Sequence, residues 1–429
     1  MRLILRFLKL SSLRKSVLSA VFFSLCLQSY AQNSGESVIL TMSDIGAYSI
    51  VERSDWRRYD NGKYSGLVRN EVRASIIPLS ARSDAALPNN GNSNFYQGNF
   101  YVIQSTLRDM RHSAQAVDDI IPVSFEVTKS GSVKIDDDRG YPMMRGFPSF
   151  SSQEVTRGVK WRAPGNRAVD PFNKGQAVVI PFTAEYEYRG MEHFSGTLVH
   201  RIYAVYGYNY RNIIASHPYA RVMGNHKVDI LIRAADGLPV FMRDELTDTY
   251  TLEDGSIIEL KGFTLTFNSS IIPLDKDKVI TDIEDTLNID TPDIPVPPPG
   301  IDPADLKDID LTPIPEGIKL TIKNIQFIAD SSQFLPSEIP RLDLMALALK
   351  QIPGRTFLVE GHTASTGQPD NEMRLSIDRA VSIINELVKR GISANRFIYK
   401  GWGGTRPVGD NMTDSGRSAN RRVEITILE

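Results

Sequence analysis

The chain of 429 residues holds a single cysteine, Cys26. It lies in an N-terminal stretch that reads as a leader, so the remainder can form no disulfide, zinc–thiolate site or thiol nucleophile. Histidine is scarce too, at six. His112, His193, His200, His217 and His226 show no H-x-H or HExxH spacing, which leaves no metal site. No phosphate loop or nucleophile elbow is present. No catalytic residue, metal ligand or cofactor is therefore assigned, and the reading is non-enzymatic. A formal net charge of −2 gives no electrostatic reason for a nucleic-acid partner. The N-terminal apolar run, Val17 to Leu27, is too short for a comfortable membrane span.

That run follows Arg2, Arg6, Lys9, Arg14 and Lys15, with no acid before Glu36, and precedes Ser29-Tyr30-Ala31. A basic start, an apolar centre and small residues at the end make 1–31 a secretion signal. The alternatives are an uncleaved anchor or lipid attachment at Cys26, against which the large Leu25 stands. The expected location is exported, periplasmic or outer-membrane-associated.

An apolar fraction of 41% and a charged fraction of 23% fit ordinary globular domains, and the length allows two or three. Residues 32–272 read as a β-rich region of one or two domains, sandwich or barrel-like. In QAVVIPFTAEYEY, Val178, Ile180, Phe182, Ala184, Tyr186 and Tyr188 fall on one face, which is strand periodicity. A turn is expected at Arg189-Gly190-Met191, with others at Asp236-Gly237 and Asp254-Gly255. The tract from Asp84 to Gly98 reads as a long loop. Pro181 in mid-strand argues against a closed membrane barrel. Tyr206, Tyr208 and Tyr210 share a strand face, for core packing or for stacking on sugar rings.

Residues 273–316 carry twelve acids against three lysines, with eight prolines between Pro292 and Pro315. This reads as an acidic, extended spacer, with Val279, Ile283 and Leu287 at the spacing of one short helix. From 317 to 429 the pattern is β-α-β-α-β-β. Leu342, Met345, Leu349 and Ile352 mark one helix; Ile377, Ala380, Ile384 and Leu387 mark a second, from about 373 to Arg390, closed by Gly391. Two helices on a mixed sheet make an α/β domain.

This last part resembles the OmpA-like C-terminal domain family. The resemblance rests on Phe327-Ile328-Ala329-Asp330-Ser331 with Pro336, Gly361-His362-Thr363, Gly367, Leu375-Ser376, Arg379-Ala380, Gly391-Ile392, Gly401, Gly403 and Asn420-Arg421-Arg422-Val423-Glu424-Ile425. The family implies noncovalent binding of peptidoglycan through the diaminopimelate of its stem peptide. An arginine grips a carboxylate and an acid answers the neighbouring ammonium. Arg379 has the family spacing, but Ala364 stands where the family has Asp, and Glu372 where it has Asn, with Asn371 one residue earlier. The candidate ligand-binding set is Arg379, Thr363, Ala364, Asp330, Asn371 and Arg421. Three readings stay open: weak binding helped by Asp370 or Asp330, preference for another diamino acid, or a retained fold with another role. His362 is expected to be a structural hydrogen-bonding residue. The β-rich region would take an envelope protein or a glycan as partner.

Overall fold

A computed structural model describes residues 37–43, 45–79, 93–105, 114–135, 137–170, 177–211, 219–287, 309–323, 325, 327–328 and 331–429. The leader with Cys26, His112, His217, the proline-rich run 294–300 and Asp330 lie outside them.

The β-rich region is one antiparallel sheet. Its strands are β1 (Tyr48–Asp60), β2 (Lys63–Pro78), β3 (Ser93–Ser105), β5 (Asp119–Thr128), β6 (Val133–Ile135), β7 (Met144–Arg145) and β8 (Lys160–Val169). They continue with β9 (Val178–Phe194), β10 (Thr197–Arg211), β11 (Tyr219–Arg233), β12 (Pro239–Leu252) and β13 (Ile257–Ser270). A two-residue strand, β4 (Gln115–Ala116), leaves this sheet for another. The order runs β6-β5-β3-β2-β1-β13-β12-β11-β10-β9-β8-β7. Val133 of β6 and Met144 of β7, at opposite ends of that order, line one cavity. The sheet therefore curls into a nearly closed barrel.

Alternation sets its two faces. Val178, Ile180, Phe182, Ala184, Tyr186 and Tyr188 are buried inside, each large apolar side chain contributing about 1.5–3 kcal/mol. Outside, Arg201, Lys227, Arg243, Glu245 and Lys261 alternate with buried neighbours. Lysine or arginine facing hydrocarbon at the bilayer midplane costs about 2–4 kcal/mol, so this wall suits water. Pro181 is exposed, beyond the last β9–β10 pair, Gly207↔Thr183, and among the described residues is matched to Asn166 of β8 alone. Tyr206 and Tyr208 face the interior: Tyr206 stacks on His226 at 4.3 Å and on Phe182 at 4.2 Å.

Two expectations on this sheet are corrected. Arg189–Gly190 is not a turn: β9 runs on to Phe194, and the reversal is made by Ser195 and Gly196, both with positive φ. Opposite Gly190, whose φ is +105°, the register slips between Arg201 and Ile202, the mark of a bulge. The loop read up to Gly98 ends sooner, because Ser93–Gly98 pairs with β5 and buries Tyr96. Asp236–Gly237 and Asp254–Gly255 do lie in turns.

The second sheet carries the C-terminal elements β14 (Ile309–Ile314), β15 (Gly317–Ile322), β16 (Phe357–Gly361), β17 (Phe397–Gly401) and β18 (Val423–Leu428). Its order is β14-β15-β18-β16-β17-β4, with β16–β17 and β17–β4 parallel. Helices α1 (Lys276–Leu287), α2 (Ile339–Lys350) and α3 (Pro369–Lys389) contribute to the core on one face, and a short α4 (Asp414–Asn420) precedes β18. Helix α4 is additional to the expected β-α-β-α-β-β pattern, and Thr413 caps it by accepting the Gly416 N–H. Helix α3 starts at Pro369, earlier than periodicity placed it, since proline suits the first helical position. Gly391, φ +96°, ends it with Gly391 N–H donating to Val388 and Ile392 N–H to Leu387.

Residues assigned to the spacer also join this core. Ile283 and Leu287 of α1 are buried in it, and β14 pairs with β15 along its whole length. The two regions then meet directly. Strand β4 adds to the edge of β17, and Tyr101, Ile103 and Val117 pack against Leu358, Ile398 and Leu428. Lys400 donates to the carbonyls of Val117 and Asp118, and Ser75 Oγ to the carbonyl of Glu429 at 2.8 Å.

Candidate functional site

Strand β16 ends in the Gly361–Ala364 run, which packs on the buried face of α3. A Cβ on Gly361 would lie 2.0 Å from the Ser376 carbonyl oxygen, so only glycine lets strand and helix approach this closely. Thr363 N–H donates to Gly403 O at 2.9 Å, and Gly403 N–H donates to Ser376 Oγ at 2.9 Å. Ser376, Arg379, Ala380 and Ile383 form the buried stripe of α3. Thr363 is thereby tied to the helical face that bears Arg379.

Arg379 is 8% exposed. Its guanidinium carbon lies 4.7 Å from the centre of the Phe327 ring, and Nε donates to Ser331 O at 3.3 Å. Ala364 is 5% exposed, a methyl group folded into the site wall. Thr363 Oγ1 and both ring nitrogens of His362 are buried with no hydrogen-bond partner among the described residues. His362 is thus a buried neutral ring rather than the hydrogen-bonding residue expected: its nearest acid is Glu424, 3.9 Å from Nε2. Burial first, then the positive charge of Arg422, pushes its pKa down to about 3. Orphaned buried polar atoms are uncommon in folded proteins and call for an explanation. Here they lie together on two successive buried residues, His362 and Thr363.

The loop itself hangs on Glu372. One carboxylate oxygen accepts Thr366 N–H at 2.5 Å, Thr366 Oγ1 at 3.0 Å and Gln368 N–H at 3.2 Å. Burial alone would raise this carboxyl, but those donors and the Gly367 N–H hold it below the usual range. The glutamate that departs from the family pattern is a loop-ordering residue. Sequence reading missed that role, although an acid in the first turn of a helix was a visible signal.

The other expected residues separate. Asn371 is exposed, its amide donating to Gln368 Oε1 at 2.8 Å and its oxygen accepting from Arg374 at 3.1 Å. Arg421 is exposed at the end of α4. It is Arg422 that turns inward, pairing with Glu424 at 2.7 Å on the sheet face away from the helices. Glu424 also takes Lys319 at 2.7 Å. Nearby, Trp402 Nε1 donates to Glu360 at 2.7 Å and Arg406 stacks on the indole. Asp330 is outside the described residues, and among the described residues no acid–histidine cluster could hold a metal.

The OmpA family pattern matches residues 326–421. The C-terminal part of this chain belongs to the OmpA family. It is 38% identical over 104 residues to the probable lipoprotein YiaD of Escherichia coli K12, covering 24% of this chain and 48% of that protein. It is 33% identical over 103 residues to the peptidoglycan-binding protein ArfA of Mycobacterium tuberculosis H37Rv, covering 24% of this chain and 32% of that one. Among solved structures, an outer membrane protein of Borrelia burgdorferi B31 shares 34% identity over 28% of this chain and 97% of its own, with a TM-score of 0.24. The chain thus spans about half or less of the two curated relatives, and those alignments cover about a quarter of it.

Proposed function

We propose that this is an exported, non-enzymatic cell-envelope protein, made from residues 1–31 as signal, 32–272 as a β-rich binding module and 317–429 as a domain that associates noncovalently with peptidoglycan. The observation that supports this most is the orphaned Thr363 hydroxyl on a loop bonded to the Arg379-bearing face of α3. That hydroxyl is buried as the loop stands, so a stem-peptide carboxylate or amide becomes its missing partner only where the loop opens toward the peptide. A relative that bears the peptidoglycan-binding name points the same way.

A second reading is an envelope scaffold or adhesin-like protein whose OmpA domain has lost wall binding. Ala364 favours it, since losing one charge-assisted hydrogen bond costs about 1.5–3 kcal/mol, roughly 10- to 150-fold in affinity. Sedimentation with purified sacculi separates the two. The first reading expects the full chain to pellet above background and Ala364→Asp to pellet more. The second expects only the variant to pellet.

A further inference from the structure

Inside the barrel, lined by none of the loop residues just described, a cavity of about 140 Å³ adjoins another of about 90 Å³. Glu52, Val72, Met143 and Phe147 border both. Most of the first cavity's wall is apolar or aromatic, including Tyr48, Phe100 and Phe125. An apolar cavity of about 150 Å³ accepts one benzene ring, so the first has room for a group of that size.

The polar groups around these cavities do not cancel. Arg167 and His226 are matched to Asp244 and Asp248: Arg167 reaches both acids at 3.4 Å, and His226 reaches them at 2.9 and 3.0 Å. Burial opposes a proton on His226, and hydrogen bonds to the two aspartates outweigh it and raise its pKa. Glu52 remains over. Among the described residues it has a hydroxyl partner, Thr266, but no ion pair. Residues on the walls hold further unsatisfied atoms: Asn268 Oδ1 on the first cavity, and Asn70 Oδ1 and Trp56 Nε1 on the second. Asn268 is itself 9% exposed. Against one unpaired donor, Trp56 Nε1, two unpaired acceptors and a surplus carboxyl beside an apolar chamber want donors and positive charge. An ammonium offers three N–H donors and no acceptor.

We propose that the barrel interior is a binding site for a small organic cation, an apolar or aromatic group carrying an ammonium that pairs with Glu52. The ring fills the first cavity and the head group sits at the junction of the two. Tyr141 and Phe147 line that junction and add aromatic surface that tolerates a cation. Entry is through the seam between β6 and β7, where among the described residues these end strands pair with β5 and β8 alone, and where Met143 and Met144 supply adaptable side chains.

The proposal has a proton signature. Burial raises Glu52 to about 7, opposed by Arg167 and assisted by Asp244. A bound ammonium favours the carboxylate, so binding at pH 6.5 releases a proton to the buffer. Isothermal titration of the full chain with benzylamine, in two buffers of different ionisation enthalpy, reads this directly. The expected result is saturable binding with buffer-dependent heat. Affinity should be at least tenfold above that of benzyl alcohol, with no binding of benzoate and at least a tenfold loss in Glu52→Gln. Should Glu52→Gln fail to fold, the wild-type contrast of amine against alcohol still decides. Equal binding of amine and alcohol, or no saturable binding because water satisfies these groups, overturns the site.

Discussion

His362 carries its ring through a buried position with no compensating hydrogen bond, which makes it an acid-sensitive point. Its folded pKa, about 3, lies below the unfolded value of 6.5. The unfolded chain therefore binds the proton first, and the stability that neutral His362 contributes is complete above pH 6.5 and lost as pH falls toward 3. Burial first, then Arg422, Arg406 and Lys319, hold it neutral against Glu424. Urea unfolding of His362→Gln should show a smaller loss between pH 7 and pH 4.5 than wild type; an unchanged loss would remove His362 as a cause. Glu372 has the more direct role. Glu372→Ala strands the Thr366 and Gln368 amides, at a cost of about 1.5–3 kcal/mol for hydrogen bonds to a charged group. Hydrogen exchange should quicken at those two loop amides before any part of α3. Motif spacing singled out Gly361, Thr363, Ala364 and Arg379, which the structure sets at the end of β16 and on the buried face of α3. It gave Glu372 no role and chose Arg421 over Arg422, because spacing does not tell which of two adjacent side chains turns inward.

At the scale of elements, period-two and period-3.6 patterns located β9 and the helices α1, α2 and α3, but marked none of β1, β2 and β3. They failed where one residue decides the geometry. Gly190 signals a turn in sequence, yet the partner strand continues past it, so the same glycine makes a bulge and the hairpin closes five residues later at Ser195–Gly196. Residues Ile309–Ile314 contain a proline and one acid, Asp310, in keeping with a spacer, but Ile309 and Leu311 pack on the C-terminal core and draw the segment into the sheet. Tertiary pairing overrode local composition. The β16–α3 contact is the element junction most sensitive to size. Gly361→Ala sets a Cβ against the Ser376 backbone, so the helix must move off the strand. A thermal-denaturation loss of about 1–3 kcal/mol is expected, the usual range for overpacking, accompanied by loss of any wall binding.

Across the whole molecule, the two regions are docked, not merely strung together. Val117 lies between Tyr101 of the barrel and Leu358, Ile398 and Leu428 of the OmpA domain, while β4 extends the domain's own sheet. No sequence pattern disclosed this, since a two-residue strand has no periodicity and its partner lies about 280 residues away. Val117→Asp places a carboxylate in that apolar seam, where an unpaired charge is costly. Calorimetry should then resolve two unfolding transitions in place of a coupled one, and small-angle scattering should report a larger radius of gyration.

The central claim is that the Thr363–Ala364 loop and the Arg379 face of α3 receive the wall's stem peptide. Titrating the isotope-labelled full chain with a soluble diaminopimelate-containing muropeptide tests it most directly. The account predicts saturable amide shifts at Thr363, Ala364 and Ser365, abolished in Arg379→Ala provided that variant retains the wild-type spectrum elsewhere. Shifts confined to the barrel, or none at millimolar peptide, would contradict it.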